Sequence, residues 1–179
     1  METKIGKTKL SLIQGDITLQ DTEAIVNAAN TSLLGGGGVD GAIHRAGGPK
    51  ILEECKEIRA KQGGCPTGEA VITSGGNMAT RYVIHTVGPV WSGGNRDEKQ
   101  LLRNAYYNSL NLAKENGIKS ISFPSISTGV YRFPIDKAAR IALTTVKEFI
   151  EEYDFVEVRF ALFSERDLKV YEEVLKEVT

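Results

Sequence analysis

The chain has 179 residues, 41% of them hydrophobic and 25% charged, a balance that is typical of a folded protein and excludes disorder as the main state. At this length one hydrophobic core is the default, so we expect residues 1–179 to form a single domain. The formal net charge of -1 excludes the broad basic field that non-specific nucleic-acid binding requires.

Residues 1–7 lack the apolar run of a signal peptide, and no later stretch has the apolar length of a membrane span. We therefore expect a cytoplasmic protein with no membrane partner. Cys55 and Cys65 lie ten positions apart, without the spacing of a zinc site, and are expected to be reduced structural thiols. No metal and no cofactor is predicted.

Short apolar runs alternate with stretches of helical spacing along the whole chain. Helical spacing predicts amphipathic helices around residues 51–58, 101–113, 138–149 and 168–178, with a further helix beginning near Asp40. Several apolar runs have no polar face, which indicates strands buried on both sides. We expect an α/β protein, a three-layer α/β/α sandwich with a central mixed, largely parallel sheet of about six strands. The predicted strands are residues 9–14, 24–27, 69–74, 82–86, 120–124 and 156–162.

Ligands of such sheets bind at the carboxyl ends of the strands, on loops that lead into helices. The first such loop is residues 15–18, Gly-Asp-Ile-Thr, after the opening strand. Asp16 fits two roles there. It is either a helix N-cap or an acceptor for an exocyclic amine such as that of adenine.

The second loop contains Asn27 and Asn30 and then four consecutive glycines, residues 35–38. Each glycine costs about 0.5 to 1 kcal/mol of backbone order relative to alanine, so an ordered ligand or a close backbone approach is the natural compensation. The loop matches neither the Walker motif nor the dinucleotide-binding glycine pattern, which disfavours kinase and nicotinamide functions. A flexible surface loop is the alternative.

The third loop is residues 125–131, Ser-Ile-Ser-Thr-Gly-Val-Tyr, at the end of an apolar strand. Small residues let consecutive N–H groups form a concave anion site, with the hydroxyls as further donors. Taken alone, the segment also fits a tight turn from strand to helix. Together with the glycine loop it favours a diphosphate held between two neighbouring strand ends.

These motifs resemble the macrodomain family, in particular the branch of MacroD-like proteins and bacterial O-acetyl-ADP-ribose deacetylases. The resemblance covers nearly the whole chain. It depends on residues 15–18, 27–30 (Asn-Ala-Ala-Asn), 35–45, 82–89 (Tyr-Val-Ile-His-Thr-Val-Gly-Pro) and 125–131, which occur in this order.

The resemblance implies a role for each matching position. Asp16 and the Ile17 backbone would contact adenine, and Phe163 would stack on it. Asp40 is implied as the catalytic acid. Asn30 would contact the distal ribose beside it, and both are predicted catalytic residues. The other implied ligand-binding residues are Asn27, Gly37, Gly38, Val39, Ser127, Thr128, Gly129, Val130 and Tyr131.

By this resemblance the chain would be a hydrolase of ADP-ribosyl esters. Its substrates would be O-acetyl-ADP-ribose and mono-ADP-ribosylated Asp or Glu side chains, so the implied partners are ADP-ribose, its esters and ADP-ribosylated proteins. Nucleic acid is expected only as an ADP-ribosylated end. One departure is Arg132-Phe133, where the branch usually has Gly-Tyr, which leaves the preference among esters open.

Two other functions remain as alternatives. A reader module would bind ADP-ribose without hydrolysing it, and would need the loops but no carboxylate at the distal ribose. A nucleotide phosphatase would need clustered acidic metal ligands, which the sequence lacks at motif spacing. His85 is interpreted as a satisfied core histidine and His44 as a packing or capping residue, so covalent catalysis is not favoured.

Overall fold

A seven-stranded mixed sheet forms the centre of the molecule in the computed structural model, which describes residues 1–179. The strand order is β1-β2-β7-β6-β3-β5-β4. The five inner strands run parallel, and the outer strands β1 and β4 are antiparallel to their neighbours. The strands are β1 (Glu2–Ile5), β2 (Thr8–Gln14), β3 (Ala24–Ala28), β4 (Ala70–Ser74), β5 (Tyr82–Thr86), β6 (Ser120–Phe123) and β7 (Glu157–Leu162).

Five α-helices cover the two faces of this sheet. They are α1 (Gly38–Gly47), α2 (Pro49–Gln62), α3 (Glu98–Glu115), α4 (Ile135–Glu152) and α5 (Glu165–Val178), and a short 3-10 helix, Ile17–Leu19, follows β2. Helices α3, α4 and α5 pack on one face through a 27-residue apolar cluster. Helices α1 and α2 pack on the other through a cluster of 11 residues. The predicted three-layer sandwich is confirmed, with seven strands where about six were expected.

Alternate side chains of a strand point to opposite faces of the sheet, and each face carries one of these two apolar clusters. In β3, Ala24 and Val26 belong to the larger cluster and Ile25 to the smaller, which explains why this strand shows no polar face in the sequence. Strand β5 has the predicted bounds, and each of the other predicted strands differs by one residue at one end. None of the helices has the length and apolar composition needed to cross a membrane.

The parallel arrangement gathers the predicted loops at one edge of the sheet. Strands β2, β3, β5, β6 and β7 all end there, so the segments after Gln14, Ala28, Phe123 and Leu162 become neighbours. Gln14 pairs with Leu162, and the Gly15 N–H donates to the Leu162 carbonyl at 2.9 Å. Loops that are far apart in the chain therefore share one surface.

Candidate functional site

A cavity of about 480 Å³ opens at this carboxyl edge. Residues 28–30, 36–40, 88, 125–127 and 129–131 line it. The cavity therefore lies between the glycine loop after β3 and the loop after β6, the two segments that the sequence predicts to face each other. Its volume suits a ligand larger than a single phosphate.

Most of the predicted site residues line this cavity, and five lie beside or behind it. Asn27 is fully buried behind the glycine loop. Thr128 is set back between lining residues 127 and 129, and Asp16, Ile17 and Phe163 lie on the adjacent loops after β2 and β7. The predicted residues that line it are Asn30, Gly37, Gly38, Val39, Asp40, Ser127, Gly129, Val130 and Tyr131.

Asp40 lies in the first turn of α1, with 5% of its surface exposed. Its Oδ1 atom accepts a hydrogen bond from Asn27 Nδ2 at 2.8 Å and lies 3.3 Å from His44 Nε2. Its Oδ2 atom is buried and has no hydrogen-bond partner in the protein. One carboxylate oxygen is thus anchored, and the other lacks the hydrogen bond that a buried oxygen normally has, which a ligand or a water molecule would supply.

Asn30 and Asp40 converge on Gly36. A Cβ atom at position 36 would lie 3.2 Å from both Asn30 Nδ2 and Asp40 Oδ2. Asn30 is itself fixed, because its Nδ2 donates to the Gly35 carbonyl at 2.9 Å and its Oδ1 accepts from the Ser32 N–H at 3.2 Å. Glycine at position 36 therefore leaves space between the two side chains that a larger residue would fill.

The next two glycines place main-chain N–H groups at the wall of the cavity. Helix α1 begins at Gly38, and the Gly37 N-cap supplies no side-chain cap. The first N–H groups of a helix have no partner within the helix and attract anions. A Cβ atom at Gly37 or Gly38 would meet no protein atom within 4 Å, so the space beside this helix start is open.

The loop after β6 forms the opposite wall. Ser127 has a left-handed backbone, with φ of 67°, and its buried hydroxyl has no partner in the protein. The Thr128 hydroxyl donates to Ser125 Oγ at 2.8 Å, and Tyr171 donates to the same oxygen at 2.9 Å. The Thr128 hydroxyl is therefore engaged within the protein and is not free to donate to a ligand.

Tyr131 and Arg132 follow on the same loop. The Tyr131 carbonyl accepts from the Trp91 N–H at 2.8 Å, and the Trp91 ring packs on Phe133 with centroids 4.7 Å apart. Arg132 is exposed, has φ of 61° and does not line the cavity. The departure from the usual Gly-Tyr pair therefore places the arginine outside the cavity and buries Phe133.

Asp16 and Phe163 lie on the loops after β2 and β7, at the same edge of the sheet as the cavity. Asp16 caps the 3-10 helix, with its Oδ1 accepting from Thr18 N at 2.9 Å and from Thr18 Oγ1 at 2.7 Å. The N-cap role that the sequence allowed is thus present. Phe163 directly follows β7 and is 83% exposed, so its ring has little packing within the protein.

Both histidines lie close to this site. His85 is a satisfied buried histidine, as predicted, and it contacts Asn27. His44 was interpreted as a packing or capping residue, and the structure places its Nε2 atom beside Asp40. The four-residue spacing between Asp40 and His44 on one helix is the signal in the sequence that could have indicated this contact.

Comparisons with known proteins agree with this architecture. The model of the Macro domain family matches residues 26–142. A macro domain-containing protein of Caldanaerobacter subterraneus is 60% identical over 172 residues, covering 96% of this chain and 98% of the relative. A protein of Escherichia fergusonii named O-acetyl-ADP-ribose deacetylase is 55% identical, covering 94% of this chain and 96% of the relative.

Solved structures of the Oceanobacillus iheyensis macrodomain have the same fold. The structure with ADP superposes with a TM-score of 0.96 at 51% identity, and the alignment covers 99% of this chain and 95% of the Oceanobacillus chain. A mutant of that macrodomain with ADPR gives the same score and identity, with 99% and 97% covered.

Proposed function

The chain belongs to the Macro domain family, and on that premise we propose that it binds ADP-ribose and hydrolyses the ester bond of O-acetyl-ADP-ribose. The single observation that carries the proposal is the convergence of Asn30 and the unpartnered Asp40 Oδ2 on Gly36. A carboxylate oxygen without a protein partner, at the end of a cavity walled by main-chain N–H groups, is suited to hold a reacting water.

The reaction needs a water molecule, a group that takes its proton and fixed donors for the anionic ligand. Water oxygen attacks the acetyl carbon, its proton passes to a base, and the bond from carbon to the ribose oxygen breaks. The ribose oxygen takes up a proton, which gives ADP-ribose and acetate. Asp40 orients or deprotonates the water, and a substrate phosphate oxygen shares this role.

The same site would accept a second class of ester, mono-ADP-ribosylated Asp or Glu side chains. In both classes the scissile bond joins an acyl carbon to the distal ribose, so Asp40 and Asn30 would serve both. The exposed setting of Arg132 and Val130 beside the cavity leaves room for an attached protein. We propose mono-ADP-ribosylated Asp and Glu side chains as a second class of substrate, beside the acetyl ester.

The predicted ligand-binding residues keep their assignments as part of this proposal. The diphosphate would lie between the N–H groups of Gly37, Gly38 and Val39 and those of residues 127–130. Tyr131 would contact the distal ribose. Asp16, Ile17 and Phe163 would hold the adenine. Asn27 would act through Asp40, to which it donates a hydrogen bond.

We also propose that residues 1–179 form one macrodomain. In support, β2 near the chain start pairs with β7 near its end, so the sheet cannot form from either half alone. The antiparallel β1 extends the same sheet through its pairing with β2.

A hydrolysis assay separates the enzyme from the reader module. The pure protein is incubated with O-acetyl-ADP-ribose and with a glutamate-ADP-ribosylated protein, and release of ADP-ribose is measured. Asp40→Ala is expected to lower kcat by about 10² to 10⁴ while ADP-ribose affinity survives, because a positioned base contributes about that much to rate. Asp40→Asn is the matched control that keeps an acceptor for Asn27. No release from either substrate by the parent would favour the reader.

A further inference from the structure

A buried chain of hydrogen bonds leads from Asp40 into the sheet. Asn27 Nδ2 donates to Asp40 Oδ1 at 2.8 Å and lies 3.0 Å from His85 Nδ1. On the other side of the imidazole, His85 Nε2 lies 2.8 Å from Thr73 Oγ1. Asn27 and His85 are fully buried, and Thr73 and Asp40 are 4% and 5% exposed. Water therefore has no access through which it could replace these bonds.

The donor and acceptor of each hydrogen bond in this series can be assigned by starting from Thr73. The Thr73 hydroxyl donates its one proton to the Ser74 carbonyl at 3.0 Å, so its oxygen accepts from His85 Nε2–H. His85 Nδ1 then carries a lone pair and accepts from Asn27. The two protons of Asn27 Nδ2 thus go to His85 and to Asp40, and a flipped amide would instead place its oxygen against two acceptors.

The surroundings keep His85 in this neutral form. Burial, and then the proximity of His44, lowers the pKa of His85 to about 3. Cys55 Sγ lies 3.9 Å from His85 Nε2, and burial, with Asp40 and Glu54 nearby, raises the pKa of this thiol to about 12. The imidazole therefore presents a lone pair, rather than a proton, to Asn27 at neutral pH.

We propose that His85 is a positioning residue for the hydrolysis: it sets the orientation of the Asn27 amide, which in turn anchors Asp40 Oδ1 and leaves Oδ2 directed at Asn30 and the cavity. The inference rests on the proposed function, because only there does Asp40 act on a water. It explains why a polar group lies in the centre of the sheet between two apolar clusters. His85 touches neither ligand nor water in this account, so its effect passes entirely through Asn27.

Two substitutions at position 85 separate the two hydrogen bonds of the imidazole. His85→Asn places an amide oxygen near the position of Nδ1 and keeps an acceptor for Asn27. His85→Gln places its amide near the position of Nε2, so it keeps a partner for Thr73 and offers Asn27 no acceptor. Both variants replace the ring by a buried amide, which makes each the control for the stability cost of the other.

The kinetics of these variants test the proposal. His85→Gln is expected to lower kcat for O-acetyl-ADP-ribose by about 10-fold or more. It leaves a buried N–H of Asn27 without an acceptor, so the Asn27 amide is no longer held in one orientation. His85→Asn is expected to stay within about threefold of the parent, and KM and ADP-ribose affinity should change by less than about twofold in both. Equal kcat losses in the two variants, or no loss in either, would overturn the proposal.

A second measurement reads the geometry without activity. The chain has two histidines, so nitrogen-15 NMR of the parent resolves both rings, and the signals lost in His85→Gln assign His85. The expected state at pH 7 is protonated at Nε2 and unprotonated at Nδ1. The opposite tautomer in a parent that hydrolyses the ester would overturn the inference and leave the proposed function intact. A parent that hydrolyses neither ester would overturn the proposed function, and the positioning role with it, whatever the tautomer.

Discussion

The two ends of the site are built in opposite ways. At the closed end, defined by Asn27, Asn30 and Asp40, the side chains are bonded to one another or to nearby backbone, and Asp40 is 5% exposed. At the open end, defined by Asp16 and Phe163, the aromatic ring is 83% exposed. The closed end is organised within the protein itself, whereas in the proposed complex the open end would gain its packing from the ligand. Substitutions at the closed end should therefore change rate, and those at the open end should change affinity.

Gly36→Ala gives the largest expected effect after loss of Asp40 itself. The new Cβ atom would lie 3.2 Å from both Asn30 Nδ2 and Asp40 Oδ2 and would displace them by a few tenths of an ångström. Because small misplacements of reacting groups cost up to about 10²-fold in rate, we expect kcat to fall by about 10- to 100-fold. ADP-ribose affinity, measured by calorimetry, should stay within about threefold.

Gly37→Ala is the matched control at the next position. Its Cβ atom would meet no protein atom within 4 Å, so the substitution does not disturb the protein itself. It should weaken ADP-ribose binding, since the proposed diphosphate position lies against this main chain, and spare kcat at saturating substrate. A Gly36→Ala protein with the kcat of the parent would show that the chemistry occurs elsewhere.

Phe163→Ala tests the open end. Stacking of an aromatic ring on a base contributes about 1 to 3 kcal/mol, so the dissociation constant of ADP-ribose should rise by about 10-fold. We expect kcat at saturation to be unchanged, because the ring does not line the cavity that contains Asp40. Val156→Ala is the control, an exposed apolar side chain just before β7, at the opposite edge of the sheet from Phe163. Equal affinities of Phe163→Ala and the parent would remove Phe163 from the binding site.

The sequence predicted the parts of this comparison that depend on burial and on local motifs. Strand β5 is predicted with its observed bounds because it begins with three apolar or aromatic residues and nearly all of its residues are buried. Strand β1 is not predicted because Glu2–Ile5 has no buried residue: it pairs with β2 at the sheet edge, and only Ile5 packs against the larger apolar cluster. The loops after β3 and β6 could be placed at the site because they follow strands that run parallel.

The contacts between side chains at the closed end could not be predicted from the sequence. Asn27 and His85 are 58 positions apart, and their contact exists only because β3 and β5 pair with these two residues in register. The Thr128 hydroxyl was expected to face a phosphate, yet it bonds to Ser125, three residues away. Tertiary pairing decides such contacts, and residue types alone do not reveal them.

Glu98→Gln tests whether the Glu98 carboxylate stabilises the loop of residues 92–96. This loop follows Trp91, whose main-chain N–H donates to the Tyr131 carbonyl. Burial alone would raise the pKa of Glu98, but the N–H groups of Ser92, Gly94 and Arg96 that donate to its carboxylate lower it from 4.5 to about 2. A lowered pKa stabilises the fold above about pH 4.5, and this contribution is lost as the pH falls through about 2.

We expect Glu98→Gln to unfold at lower urea concentration than the parent at pH 7, and the gap to narrow between pH 4.5 and pH 2. Glu148→Gln is the control, since this carboxylate is 54% exposed in its pair with Arg103 and should have little effect. A gap that stays constant across this pH range would refute the role of the Glu98 charge.

Arg132→Gly is expected to have the smallest effect. The arginine is exposed and outside the cavity, and its φ of 61° is one that glycine adopts without strain. Relief of strain and loss of backbone order oppose each other at about 1 kcal/mol each, so the melting temperature should change little. Affinity for ADP-ribose should stay within about twofold. A larger loss would show that Arg132 turns toward the ligand when it binds.

A crystal structure with ADP-ribose tests the central claim most directly, namely that main-chain N–H groups rather than basic side chains hold the diphosphate. The account predicts phosphate oxygens within about 3.2 Å of main-chain nitrogens in both residues 37–39 and residues 127–130, and the distal ribose against Asn30 and Asp40. A diphosphate held by lysine or arginine side chains, with these two segments empty, would contradict it.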